Sequence, residues 1–124
     1  MQRLLIIDDE TQLRETISEI FTIFGFQVFE AKNGNEGLIK VKEKEPNIIL
    51  CDVNMPLLDG YGFLKKHQKS DYSDIPVLLL SAKIEPADIE KGLSLGAKTY
   101  ITKPFVFKEL KKTVDFYLSV DTKL

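Results

Sequence analysis

Four stretches carry side chains suited to acid–base or phosphoryl chemistry: Asp8-Asp9-Glu10, Asp52, Ser81-Ala82 and Thr102-Lys103-Pro104. The first three each end an apolar run, Leu4-Leu5-Ile6-Ile7, Ile48-Ile49-Leu50-Cys51 and Val77-Leu78-Leu79-Leu80. Carboxylates held at close range repel one another and raise each other's pKa unless a cation offsets them. A hard divalent ion with oxygen ligands, Mg²⁺ or Mn²⁺, is the natural partner, and Mg²⁺ keeps positions open for a phosphate oxygen. A metal, a carboxylate, a hydroxyl and a lysine are the parts that phosphoryl transfer uses. Cation and ammonium balance charge on the equatorial oxygens, the hydroxyl donates a hydrogen bond, and the carboxylate attacks phosphorus in line.

That chemistry requires the stretches to converge, so the elements between them matter. Residues 4–7 are too few for a helix and apolar on both faces, which predicts a buried parallel strand. From Thr11, the residues Leu13, Ile17, Ile20, Phe21 and Phe24 recur at helical spacing until Gly25, predicting an amphipathic helix with a glycine stop. The alternation continues with strand 26–30, helix 35–45, strand 47–51, helix 60–69, strand 76–80, helix 86–95 closed by Gly96, strand 98–101 and helix 105–118. Five βα units predict one doubly wound α/β domain: a five-stranded parallel sheet with right-handed crossovers and helices on both faces. Five strands suit the flavodoxin-like order 2-1-3-4-5, in which the first and third strands are neighbours at the switch point where ligands bind. Asp8, Asp9 and Asp52 then meet, flanked by Ser81 and Lys103.

Composition narrows the classes. The 124 residues are 44% hydrophobic, enough for one domain that folds without disulfides or metal clips. Cys51 and His67 are the only cysteine and histidine, which excludes an internal disulfide and Cys/His metal clusters. No apolar run approaches the roughly 20 residues of a membrane span, and core-like sequence follows Met1 where a signal peptide would stand. The expected compartment is the cytosol. With 17 Lys+Arg against 19 Asp+Glu, the chain lacks the basic excess that supports direct binding to nucleic acid or anionic lipid.

In combination, Ile6-Ile7-Asp8-Asp9-Glu10, Asp52-Val53-Asn54-Met55-Pro56 leading to Asp59-Gly60, Ser81-Ala82, Gly96-Ala97 and Lys103-Pro104-Phe105 resemble the receiver domains of two-component response regulators. The resemblance covers nearly the whole chain, with residues 1–120 as receiver and 121–124 as a tail or the start of a linker. It implies that Asp52 accepts a phosphoryl group from a histidine kinase or phosphotransfer protein. It also implies Mg²⁺ (or Mn²⁺) held by Asp9, Asp52 and the backbone carbonyl of Asn54, with Asp8 acting through water. Lys103 would pair with the phosphoryl group. Ser81 would move to bond it, and Tyr100 would turn inward, changing the face of the fourth helix, fifth strand and fifth helix. The Lys103–Pro104 peptide would be cis. The resemblance further implies a cytoplasmic switch rather than a turnover enzyme, a downstream protein target or output domain, and a monomer or phosphorylation-dependent homodimer. Asn54 and Lys83 occupy positions that tune phosphoryl lifetime in the family.

Rival classes fit less well. A haloacid-dehalogenase-type phosphatase needs an acid/base Asp two residues after its nucleophile, where Asn54 stands. A flavodoxin-like cofactor binder needs a phosphate loop after the first strand, and Asp9-Glu10-Thr11 would repel that phosphate. A pseudo-receiver acting purely as an interaction module is the remaining alternative, although the site positions are chemically competent. Asp59-Gly60 reads as a helix start, and alternation turns Cys51 away from Asp52 into inert core. His67, beside Lys65, Lys66 and Lys69, reads as solvated, and 108–112 as the polar face of a helix. An aromatic such as Tyr100 in a short edge strand can equally be plain packing.

Overall fold

The computed structural model describes residues 1–83 and 85–121. Strands and helices alternate strictly: β1 (Arg3–Ile7), α1 (Thr11–Ile23), β2 (Gln27–Ala31), α2 (Gly34–Lys44), β3 (Ile48–Asp52), α3 (Gly60–Gln68), β4 (Val77–Ser81), α4 (Pro86–Ser94), β5 (Thr99–Thr102) and α5 (Phe107–Asp121). All strand pairs are parallel, in the order β2-β1-β3-β4-β5. This is the expected doubly wound α/β sheet.

The sheet divides the core in two because successive strand side chains point to opposite faces. Leu4, Ile6, Ile48, Leu50, Leu78 and Leu80 pack with Ile17 and Phe21 of α1 and Leu110 and Val114 of α5. Leu5, Ile7, Ile49, Cys51 and Leu79 pack on the other face with Val41 of α2 and Phe63 and Leu64 of α3. Cys51 is buried there, as alternation required, and burial pushes its thiol well above the usual range.

Several boundaries lie one to three residues from the expected ones. Pro76 has no N–H to give the ladder, although its carbonyl accepts from Ile49, so β4 begins at Val77 and carries Ser81 as its last residue. Asp52 likewise pairs with Leu80 inside β3 and is not the first loop residue. α5 begins at Phe107, after the cis Lys103–Pro104 peptide and a short irregular stretch containing Phe105. It continues past Leu118 to Asp121, since neither Gly nor Pro follows to stop it. Of the expected tail, 122–124 lie outside the described residues. The glycine stops after α1 and α4 hold: Gly25 and Gly96 have φ of +101° and +110°.

One expectation fails. His67 is fully buried, not solvated: its ring stacks on Phe63 at 5.5 Å and 12°, and Nε2 donates to the carbonyl of Ile75 at 2.9 Å. Its position four residues after Phe63 puts it on the apolar face of α3, a stronger cue than its lysine neighbours. Burial lowers its pKa, and Nδ1 has no hydrogen-bond partner among the described residues.

Candidate functional site

β1 and β3 are neighbours with their carboxyl ends on one edge, which brings Asp8, Asp9 and Asp52 together. Carboxylate oxygens of the three lie within 4.8 Å of one another. Asp8 is fully buried and Asp52 is 6% exposed, while Asp9 faces solvent. Asp8 Oδ1 accepts the backbone N–H of Glu10 at 2.9 Å, an Asx-type turn ahead of α1, which itself has no side-chain N-cap bond. Lys103 reaches in from the end of β5. Its Nζ donates to Asp52 Oδ1 at 3.0 Å and to Asp8 Oδ2 at 3.2 Å.

One ammonium does not fully offset the cluster. Burial is the largest influence on Asp52 and raises its pKa; Asp8 and Asp9 raise it further, Lys103 opposes them, and the carboxyl comes to about 6. For Lys103, burial works to lower the pKa, but its bonds to Asp52 and Asp8 outweigh that and raise it, so it stays charged. A buried acidic group left short of positive charge, with one carboxylate open to solvent, has the donor set and the electrostatic deficit suited to a hard divalent cation.

The loops around the cluster are held by backbone bonds. Val53 N–H donates to Leu80 at 3.0 Å, Gly60 N–H to Val53 at 2.8 Å, and Gly34 N–H to Leu58 at 3.0 Å. Asp59 caps α3 through Gly62 N–H at 2.8 Å, the helix start expected of it. Gly60 is required by space, since a Cβ there would strike the Asp52 carbonyl oxygen and sit 2.8 Å from Val53 Cα. Asn54 lies exposed in this loop, two residues after Asp52.

Ser81 is buried at the end of β4, and its Oγ accepts the Lys83 N–H at 3.0 Å. Tyr100 is half-buried in β5 with its hydroxyl already turned inward in the unmodified chain, the orientation expected of it only after phosphorylation, and by hydrogen-bond geometry the hydroxyl has no partner among the described residues. An apolar hollow of about 330 Å³ beside Lys103 is lined by Leu13, Ala82, Pro104, Phe105 and Phe107.

Three features here escaped the sequence reading. Arg14 of α1 donates from Nη1 to the Asp8 carbonyl at 2.8 Å and from Nε to Glu30 at 3.0 Å, bracing the β1–α1 loop. Leu57, 83% exposed, has φ +69° in a tight turn closed by Leu58 N–H to Pro56 at 2.8 Å. No glycine marks that turn. Tyr61 is buried, and its hydroxyl donates to the carbonyl of Asp88 in α4 at 3.2 Å. Burial, followed by the nearby Tyr100 hydroxyl, raises its pKa.

Comparison with known proteins agrees with this geometry. Residues 4–115 match the family model described as response regulator receiver domain. A relative from Porphyra purpurea, "Probable transcriptional regulator ycf27", is 39% identical over 113 residues, 91% of this chain and 46% of its own length. The chain thus spans about half the length of the curated relatives it matches. The Francisella response regulator 1452 receiver domain superposes with a TM-score of 0.90 at 30% identity, covering 96% of this chain and 98% of that one. The chemotaxis protein CheY4 of Vibrio cholerae does so with 0.87 at 32%, covering 93% and 97%. Sheet order, the carboxylate edge and these matches agree that the chain belongs to the response regulator receiver domain family of two-component signalling.

Proposed function

We propose that this receiver is a phosphorylation-controlled switch with Asp52 as the phosphoacceptor. The observation that carries the reading is the juxtaposition of the Asp8, Asp9 and Asp52 carboxylates within 4.8 Å, with Lys103 at 3.0 Å from Asp52. The donor is a phosphohistidine on a histidine kinase or phosphotransfer protein. An Asp52 carboxylate oxygen attacks phosphorus, the P–O bond forms, the P–N bond breaks, and the leaving imidazole keeps the electron pair and picks up a proton.

Asp9, Asp52 and the Asn54 carbonyl would hold Mg²⁺, or Mn²⁺, with Asp8 acting through water. When bound, the ion neutralises charge on the transferring phosphoryl oxygens. Lys103 already sits on Asp52 and supplies a second cation for those oxygens. Ser81 carries the hydroxyl nearest the end of β4, and rotating it from Lys83 N–H toward the phosphoryl group gives it a stronger, charge-assisted bond. Tyr100 and the α4–β5–α5 face then read out the change. The chain works on itself and is not a turnover enzyme. The switch is cytoplasmic, in the compartment where such donors act. The changed face engages a downstream protein target or output domain.

Intact-mass measurement after incubation with acetyl phosphate tests the reading. A single phosphoryl adduct is expected on wild type with Mg²⁺, and none without Mg²⁺ or in Asp52→Asn. An adduct on Asp52→Asn at the normal rate would overturn the acceptor assignment. Absence of both adduct and Mg²⁺ binding in wild type would favour a pseudo-receiver.

A further inference from the structure

α4 is loosely seated. Gly92 is its only buried residue, and the space a side chain would need there is taken by Leu79 and Tyr100: a Cβ would lie 2.7 Å from Leu79 Cδ1 and 3.1 Å from Tyr100 Cδ2. A single residue outside the β4–β5 floor grips this helix twice. Tyr61, 6% exposed, donates its hydroxyl to the Asp88 carbonyl at 3.2 Å, and Lys91 Nζ, nearly one turn further along α4, lies 4.5 Å from the centre of its ring. The backbone entering Tyr61 is tied to β3, because Gly60 N–H is bonded to the Val53 carbonyl and no room for a side chain separates Gly60 from the Asp52 carbonyl. Tyr61 therefore joins the end of the strand that bears Asp52 to α4 without passing through Ser81.

The neighbouring Tyr100 hydroxyl is buried and meets no hydrogen-bond geometry with any described residue, yet it lies near enough to the Tyr61 hydroxyl to raise that group's pKa. A buried hydroxyl in that condition is costly, and it offers Tyr61 a second acceptor if α4 moves away. We propose that Tyr61 is a latch on α4 with two hydrogen-bonded states: closed on the Asp88 carbonyl, or open on the Tyr100 hydroxyl with α4 released. The open state satisfies a group that the closed state leaves orphaned, so releasing α4 exchanges one bond for another. Such an exchange gives a two-state element that a change at Asp52 can bias. The proposal rests on the receiver reading only for what triggers it; the latch itself belongs to the unmodified protein.

Amide hydrogen exchange on the unmodified full chain tests it. Tyr61→Phe removes the hydroxyl alone and should speed exchange of the α4 amides about fivefold, the effect of one net hydrogen bond, with β3 and α1 unchanged. Lys91→Met, an exposed change that does not endanger folding, should speed the same amides. Tyr100→Phe removes the open-state acceptor and should slow them, but should do nothing further in the Tyr61→Phe background. Unchanged α4 rates in both Tyr61→Phe and Lys91→Met would overturn the latch, as would a uniform acceleration across the sheet. Additive effects of Tyr61→Phe and Tyr100→Phe would overturn the exchange of partners. Acetyl phosphate adduct formation, read separately by mass, decides the receiver reading without touching this result.

Discussion

Replacing Asp52 by Asn should stabilise the protein in the absence of divalent cations, even though it removes a partner of Lys103. The Asp52 carboxyl is pushed from 3.8 to about 6, chiefly by burial. For an acid whose pKa is higher folded than unfolded, the folded state holds its proton more tightly, and stability falls as pH rises through that window. One pKa unit corresponds to about 1.4 kcal/mol, so an ionised Asp52 costs about 3 kcal/mol near pH 7.5 and about 1 kcal/mol near pH 4.5. Asn carries no charge, and Lys103 retains Asp8 at 3.2 Å. The assay is urea unfolding of both proteins in EDTA at the two pH values. The advantage of Asp52→Asn should grow by about 2 kcal/mol between them. The His67 contribution is common to both proteins and cancels. Mg²⁺ should narrow the gap by stabilising wild type selectively. An Asn variant no more stable than wild type near neutrality, or an advantage independent of pH, would refute the electrostatic account of the site.

Asp9→Ala should weaken Mg²⁺ binding by about tenfold or more in calorimetric titration while leaving the fold intact, since Asp9 is exposed. Lys103→Met should raise the Asp52 pKa above its present value of about 6, read as an upfield-to-downfield carboxyl titration by NMR, because the ammonium bonded to it is gone. For His67 the folded pKa is lowered by burial, so the unfolded chain takes up the proton first and stability falls as pH drops through the ordinary histidine range. His67→Phe, measured in the Asp52→Asn background to remove the opposing trend, should flatten that acid limb of the urea-unfolding profile.

Much of the site was legible because its cues are local. Asp8-Asp9, Asp52, Ser81 and Lys103 each stand at the end of a strand, and βα alternation places all strand ends on one edge. Boundaries slipped where ladder pairing, not hydrophobicity, sets the limit, as at Pro76 and Asp52. His67 was misjudged because its charged neighbours in sequence point elsewhere on the helix, whereas Phe63, four residues earlier, shares its face. Arg14 and Tyr61 carry no marker of their roles, since what each grips is a backbone carbonyl, of Asp8 and of Asp88 respectively.

The sequence by itself determined the class of fold, the strand order expected of it and the identity of the charged cluster, because hydrophobic periodicity and strand-end position depend on neighbours a few residues apart. Tertiary structure alone decided that Lys103 bonds both Asp8 and Asp52, across 95 and 51 residues of chain. It also decided that burial pushes the Asp52 carboxyl up to about 6 and that Tyr61 holds α4 from 27 residues away. Those properties arise from desolvation and from contacts between distant segments, and both come into being only when the sheet closes over them.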